Sequence, residues 1–247
     1  IAACAEASAL LGLPGYLPTQ DNLVINPDFS LDVLNPGFDL WCGDALCDWD
    51  TDAGALRRVL ERFLPEFESI KGRTQFDVYH TYTTDLHCIH TVSEIKALES
   101  EEKEIFSHID DREAIYLSAF LHDIGKGYGR PHAETGASKA RDIAKRFGFS
   151  DERSDLVAFL IRHHLLLPDI AYKRDLSDEK VAIECAQMAK NARTLSMLYL
   201  LSVADARATG PRAWDEWKAS LLRELYLKSL HSLQRGILRD PMNMIVL

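Results

Sequence analysis

Three features of the sequence predict an all-α fold, a helical bundle behind a short irregular N-terminal appendage. From Ala53 onward the apolar residues recur at helical spacing. Gly and Pro punctuate these runs where helices would stop, and no convincing strand pattern follows residue 50. Residues 13–52 differ in character, with Pro14, Pro18, Pro27 and Pro36 among short apolar runs at Leu23–Ile25, Leu31–Leu34 and Phe38–Trp41. They read as loop with room for a small hairpin. The expected division is an appendage over 1–52, a linker or the tail of a preceding domain, followed by a helical domain over 53–247.

The elements can be taken in order. Residues 1–12 are Ala-rich and read as a short helix. Leu56, Val59, Leu60, Phe63 and Leu64 form a stripe that Pro65 interrupts. A helix is expected over His80–Leu98, with Cys88, Ile89, Val92 and Ile95 as its apolar face and His87 on its flank. Asp110 and Glu113 have capping-box spacing and open a central helix that is apolar on every side through Leu121. Gly125 and Gly127 are expected to stop it. Further helices are expected over Ala133–Phe147, Ser150–Leu166 (ended by Pro168), Asp178–Lys190, Thr194–Thr209 (ended by Gly210-Pro211) and Trp214–Leu233.

Composition narrows the function. The 247 residues are enough to bury a sizeable core. A net charge of −10 argues against a non-specific nucleic-acid binder, which needs a basic face. Phosphorylated substrates stay compatible, because a divalent metal reverses the local sign. No stretch approaches the roughly 20 apolar residues of a membrane span. Cys4, Cys42, Cys47, Cys88 and Cys185 form an odd set without a framework spacing, so reduced thiols and a cytoplasmic setting are expected. Cys42 and Cys47 lack a second Cys/His pair at finger spacing, and the series Asp44, Asp48, Asp50, Asp52 lacks a calcium loop's closing Glu. The first reads as a plain thiol pair and the second as a solvated acidic loop. The N-terminus carries Glu6 and no basic region, unlike a signal peptide, and it opens on Ile1, so a partial chain is expected.

The residues out of place are polar. His122 and Asp123 stand at the inner end of the apolar central helix, where an unpaired carboxylate is costly. Lys126 follows between the two glycines. His164 projects from the stripe Leu156, Leu160, with His163 beside it, and Asp205 shares a face with Leu198 and Leu201. His87 and His132 complete the set. Each alone has a bland explanation, as a hydrogen-bonded core residue or a buried ion pair. Together they are imidazoles and carboxylates at the inner ends of helices, a donor mixture that suits one or two divalent ions, Mn, Mg or Fe.

The order His87 … His122-Asp123 … Asp205 resembles the signature of the HD phosphohydrolase superfamily. A closer likeness lies in Gln75-Phe-Asp-Val-Tyr-His-Thr-Tyr-Thr-Thr-Asp-Leu-His87, His122-Asp-Ile-Gly-Lys-Gly, His132-Ala-Glu-Thr-Gly-Ala, Arg162-His-His-Leu-Leu and Val203-Ala-Asp-Ala-Arg-Ala-Thr-Gly-Pro211. With Trp217-Lys-Ala-Ser-Leu-Leu-Arg-Glu-Leu-Tyr226, these resemble the HD domain of bifunctional uridylyltransferase/uridylyl-removing enzymes, over roughly Phe63 to Leu230.

The resemblance implies an HD helical bundle that removes UMP from a uridylylated PII-type nitrogen-signalling protein by a metal-activated water. It implies that His87, His122, Asp123 and Asp205 hold one metal, and that His132 with His164 or His163 completes a second. Asp123 and Lys126 are then the catalytic residues, with Lys126 on the phosphoryl oxygens, and Arg207 is a candidate phosphate contact by position. Leu86 stands where that family commonly has an acidic residue. The chain lacks a Gly-Ser…Asp-x-Asp nucleotidyltransferase motif, so the transferase half-reaction is not expected here. Two rivals remain: a stand-alone HD nucleotidase or phosphodiesterase acting on a small molecule, and a degenerate nucleotide-sensing HD module.

Overall fold

The computed structural model describes residues 64–74, 81–129, 131–210 and 212–236, with two short strands upstream. Those strands, β1 (Leu23–Ile25) and β2 (Leu31–Val33), pair antiparallel with Leu23 opposite Val33. The Ala-rich segment 1–12, Cys42 and Cys47, the acidic series Asp44–Asp52, the expected boundary at 52/53, the stripe from Leu56 to Phe63 and residues 75–80 lie outside the described residues. The chain divides into two compact units, Ile1–Ser69 and Ile70–Leu247.

The second unit is all-helical among its described residues. Nine α-helices follow in order: α1 (Thr84–Glu101), α2 (Lys103–Phe106), α3 (Arg112–Leu121), α4 (His132–Arg146), α5 (Asp151–Arg162), α6 (Leu166–Lys173), α7 (Glu179–Ala189), α8 (Ala192–Thr209) and α9 (Glu216–Gln234). A 3-10 segment, Ile124–Tyr128, lies between α3 and α4. Among the described residues no helix is long and apolar enough to cross a membrane.

Helix starts are chemically marked. Asp111, Ser150, Asn191 and Asp215 each accept a hydrogen bond from the backbone N–H three residues on, which satisfies an otherwise orphaned donor. The expected capping box is corrected here, because the cap of α3 is Asp111 and not Asp110. Asp110 instead pairs with Arg193, and Glu113 with Arg153, whose guanidinium also holds the cap Asp111.

The core is built on the central helix α3, apolar on every side, and on the apolar middle of α8. Every residue from Ala114 to Leu121 of α3 is buried, as is every residue from Thr194 to Ala204 of α8. Each buried Leu or Ile there is worth about 1.5–3 kcal/mol. Helix α8 packs along α1 and touches α3, so the two apolar helices and α1 share one interior. The start of α1 is tied to the end of α8 by Thr81 N–H donating to the Thr209 carbonyl (3.1 Å), and its first turn to Arg73 by Thr84 N–H (2.8 Å). On the other side, α4 buries Gly136, Ala137, Ala140, Ile143 and Ala144, a stripe small enough for close packing on α5 and on the 3-10 segment.

Three boundaries differ from expectation, the first being that of α1, which starts at Thr84 and not at His80. The helix expected over Ser150–Leu166 ends at Arg162, and a new helix, α6, starts at Leu166 with Pro168 inside its first turn. Proline lacks only an N–H that is orphaned in a first turn anyway, so Pro168 opens a helix and does not end one. Helix α3 likewise stops at Leu121, before the glycines, and leaves His122 and Asp123 in a turn.

Candidate metal centre

Five stretches of chain bring the candidate ligands together. His87 stands in the first turn of α1 and Asp205 in the last turn of α8, ends that the Thr81–Thr209 hydrogen bond holds together. His122 and Asp123 occupy the turn after α3. His132 opens α4, and His164 lies in the turn after α5. The break after Leu121 matters, because on a continuing helix neighbouring side chains diverge by about 100°.

The donor atoms form two groups. In one, His87, His122 and Asp205 each offer an atom within 4.8 Å of the others, and in the second Asp123, His132 and His164 do so. His87 Nε2 is 3.1 Å from His122 Nε2 and 3.0 Å from Asp205 Oδ1, and His122 Nε2 is 3.5 Å from the same oxygen. Asp123 joins the groups. Its Oδ2 lies 3.4 Å from His122 Nε2 and 3.7 Å from His87 Nε2, while its Oδ1 lies 3.9 Å from His164 Nε2. Lys126 Nζ closes the same oxygen Oδ2 at 2.5 Å.

Two imidazoles are oriented by one local device. His122 Nδ1 donates to the Ala119 carbonyl (2.8 Å), and His164 Nδ1 donates to the Ile161 carbonyl (2.6 Å), each three residues back. A carbonyl can only accept, so the proton sits on Nδ1 and Nε2 faces inward, the arrangement common around metal-ligating imidazoles. Ser202 Oγ adds a bond to the His164 carbonyl at 3.3 Å. His87, His122, Asp123 and His164 are all buried, and Asp205 keeps 19% of its side chain exposed.

The electrostatics call for a cation. Burial disfavours a charged His122, yet the Asp123 and Asp205 carboxylates outweigh it and raise the imidazole to about 10. Burial also opposes ionisation of both carboxylates, but His122 and Lys126 beside Asp123, and His122 and His87 beside Asp205, hold them well below the usual range. His164 goes the other way, its burial and the neighbouring His122 lowering it. Asp123 Oδ1 is buried and has no hydrogen-bond partner. A buried acceptor without a donor costs about 1–3 kcal/mol or more if charged. Inward-facing lone pairs, clustered carboxylates and that open oxygen fit a divalent metal.

The other expected residues lie elsewhere. His163 belongs to neither group; its ring packs on Phe159 with centroids 4.5 Å apart. Arg207 donates to Glu101 (2.9 Å), lies 3.6 Å from Glu94, and its guanidinium carbon is 5.9 Å from the Trp214 ring centroid. The carbonyls of Ala119 and Ile161 were outside the sequence reading, although an imidazole just past a helix end routinely finds the carbonyl three residues back. Ser202 carried a signal, as one of two serines in the otherwise apolar run Leu195–Ala204.

The family model described as HD domain matches residues 84–209, a span that runs from the start of α1 to the end of α8 and includes every residue of both groups. The chain belongs to the HD domain family. It is an HD-type phosphohydrolase domain, a class that works with divalent metals. The bifunctional uridylyltransferase/uridylyl-removing enzyme of Methylococcus capsulatus is 40% identical over 191 residues, covering 74% of this chain and 22% of that relative. Its counterpart from Cereibacter sphaeroides is 41% identical over 196 residues, covering 74% and 21%, and that from Bordetella avium 40% over 183 residues, covering 71% and 21%. The chain thus spans about a fifth of the length of these curated relatives.

Proposed function

We propose that this HD domain hydrolyses a phosphodiester and releases UMP from a uridylylated PII-type signalling protein. The observation that carries the hydrolytic part is Asp123, whose two oxygens face two separate groups of imidazoles. The substrate part rests on the 40% identity, over 74% of this chain, to an enzyme named for uridylyl removal.

In this reading His87, His122, Asp123 and Asp205 hold one divalent ion, and Asp123, His132 and His164 a second. The mixture of imidazole and carboxylate suits Mn, Mg or Fe better than a closed structural zinc site. Bound metal supplies Lewis acidity, which acidifies water and offsets charge on phosphoryl oxygens. The chain's own residues do the rest. Asp123 orients both halves of the centre, and the Ala119 and Ile161 carbonyls keep two Nε2 atoms directed inward. Lys126 is held at Asp123 by one of its three N–H donors, which leaves others for a phosphoryl oxygen as charge develops there. Arg207, held by Glu101, supports the end of α8 in this scheme and is not the phosphate contact. The proposed setting is cytoplasmic, with Cys88 and Cys185 as free buried thiols.

The test is a comparison of substrates with the Mn-loaded protein. Mn-dependent release of UMP from a uridylylated PII-type protein, faster than turnover of free nucleotides, is expected. Faster turnover of free nucleotides would make the domain a small-molecule nucleotidase, and hydrolysis of neither would make it a nucleotide-sensing module.

A further inference from the structure

Gly125 lies two residues after Asp123, in the 3-10 segment that packs on α4. A Cβ placed there would stand 1.9 Å from the carbonyl oxygen of His132 and 2.7 Å from the backbone N of Gly136. Both are backbone atoms, so no side-chain rotation could relieve the contact. Its φ lies outside the left-handed region, so space and not backbone conformation demands glycine at this point. The contact is reciprocal: a Cβ on Gly136 would lie 3.2 Å from Gly125 N and 3.4 Å from Ile161 Cγ2.

These backbones carry the second ligand group. Gly125 follows Asp123, Gly136 lies one turn beyond His132 on α4, and Ile161 is the residue whose carbonyl orients His164. All three ligands are therefore registered against one another where Gly125, Gly136 and Ile161 meet. In the other group His87 and Asp205 owe their spacing to a different contact, that of α1 with α8, while His122 shares the turn of Asp123. We infer that Gly125 and Gly136 are positioning residues, a backbone lock that sets the distance from Asp123 to His132 and with it the second metal position. The inference rests on the two-ion reading above.

The geometry sets the size of the effect. Moving a Cβ at Gly125 from 1.9 Å to ordinary contact parts the two backbones by roughly 1.5 Å, against a tolerance of about 0.5 Å for a ligand constellation. At Gly136 the adjustment is only a few tenths of an ångström. Alanine is also favoured over glycine inside a helix, so Gly136→Ala is the variant that keeps its fold.

The experiment counts Mn ions per chain by equilibrium dialysis with elemental analysis, alongside circular dichroism melts. Wild type is expected to bind two ions and Gly125→Ala one. Gly136→Ala is expected to bind two, the weaker of them loosened about tenfold, with no loss in melting temperature. A folded Gly125→Ala chain that holds two ions with wild-type affinities would overturn the inference and leave the two-ion reading intact. Unchanged binding by Gly136→Ala would also overturn it, and this variant decides the matter if Gly125→Ala does not fold. A wild-type chain that binds at most one ion would overturn both readings.

Discussion

The two ligand groups share one carboxylate and little else. His87 and Asp205 stand on α1 and α8, 18-residue helices packed along each other. Asp123, His132 and His164 stand at breaks in the chain, two in turns and one at the first residue of a helix. His87 and Asp205 take their spacing from helix–helix packing, His122 from the turn it shares with Asp123, and the second group from turns locked by backbone contact. Their charge states diverge too. His122 is pushed up to about 10 by two carboxylates, whereas His164, its ring centroid 5.4 Å away, is pushed down by burial and by His122. One half of the centre favours a charged imidazole and the other a neutral one. On the two-ion reading such a site can lose either half separately, and Asp123 is the point where both fail.

The comparison is broken most severely at that bridge. Asp123→Asn is expected to empty both groups and to lower hydrolysis about 10³-fold or more, measured as Mn content and UMP release together. Loss of one ion only would show that Asp123 is not shared. Next in size is Lys126→Ala, which should cost about 10²-fold in rate while both ions remain bound. Parallel loss of metal would mean that its ammonium serves the centre's assembly and not the phosphate.

The pH dependence should separate the halves. His122 must give up its proton to ligate, so affinity for the first ion should rise about tenfold per pH unit from 6.5 towards about 10, with close to one proton released. Calorimetry in buffers of different ionisation enthalpy reads that proton directly. The linkage to folding runs the same way: in the metal-free protein the raised pKa contributes stability fully present below 6.5 and lost as pH rises through about 10. His164 is lowered from 6.5, so it adds no such slope to the second ion's affinity above that pH. The smallest effect is expected at His163→Ala, less than about twofold in rate, because its ring rests on Phe159 outside both groups.

Much of this was legible in the chain, for physical reasons. The apolar runs in α3 and α8 have only one tolerable place, a shared interior, and the polar residues at their ends had to be functional or paired. His87, His122, Asp123, His132, His164 and Asp205 were therefore all visible as anomalies. The choice between His163 and His164 was not, because the stripe Leu156, Leu160, His164 presumed a helix that in fact ends at Arg162. Ligand direction there depends on a turn, and turn geometry leaves little periodic trace. The lock at Gly125 was hidden likewise: its contacts are with residues 7 to 11 positions away, joined through a turn and not through a repeating pattern. Pro168 misled because proline ends some helices and opens others, a choice that depends on which N–H groups are already orphaned.

In the proposed centre Asp123 bridges two divalent ions held by imidazoles from different parts of the chain. Anomalous diffraction from Mn-soaked crystals tests it most directly. The expected map has two peaks, one flanked by His87, His122 and Asp205 and the other by His132 and His164, each with one Asp123 oxygen and its imidazole nitrogens at about 2.0–2.2 Å. A single peak, or one coordinated by His163, would contradict it.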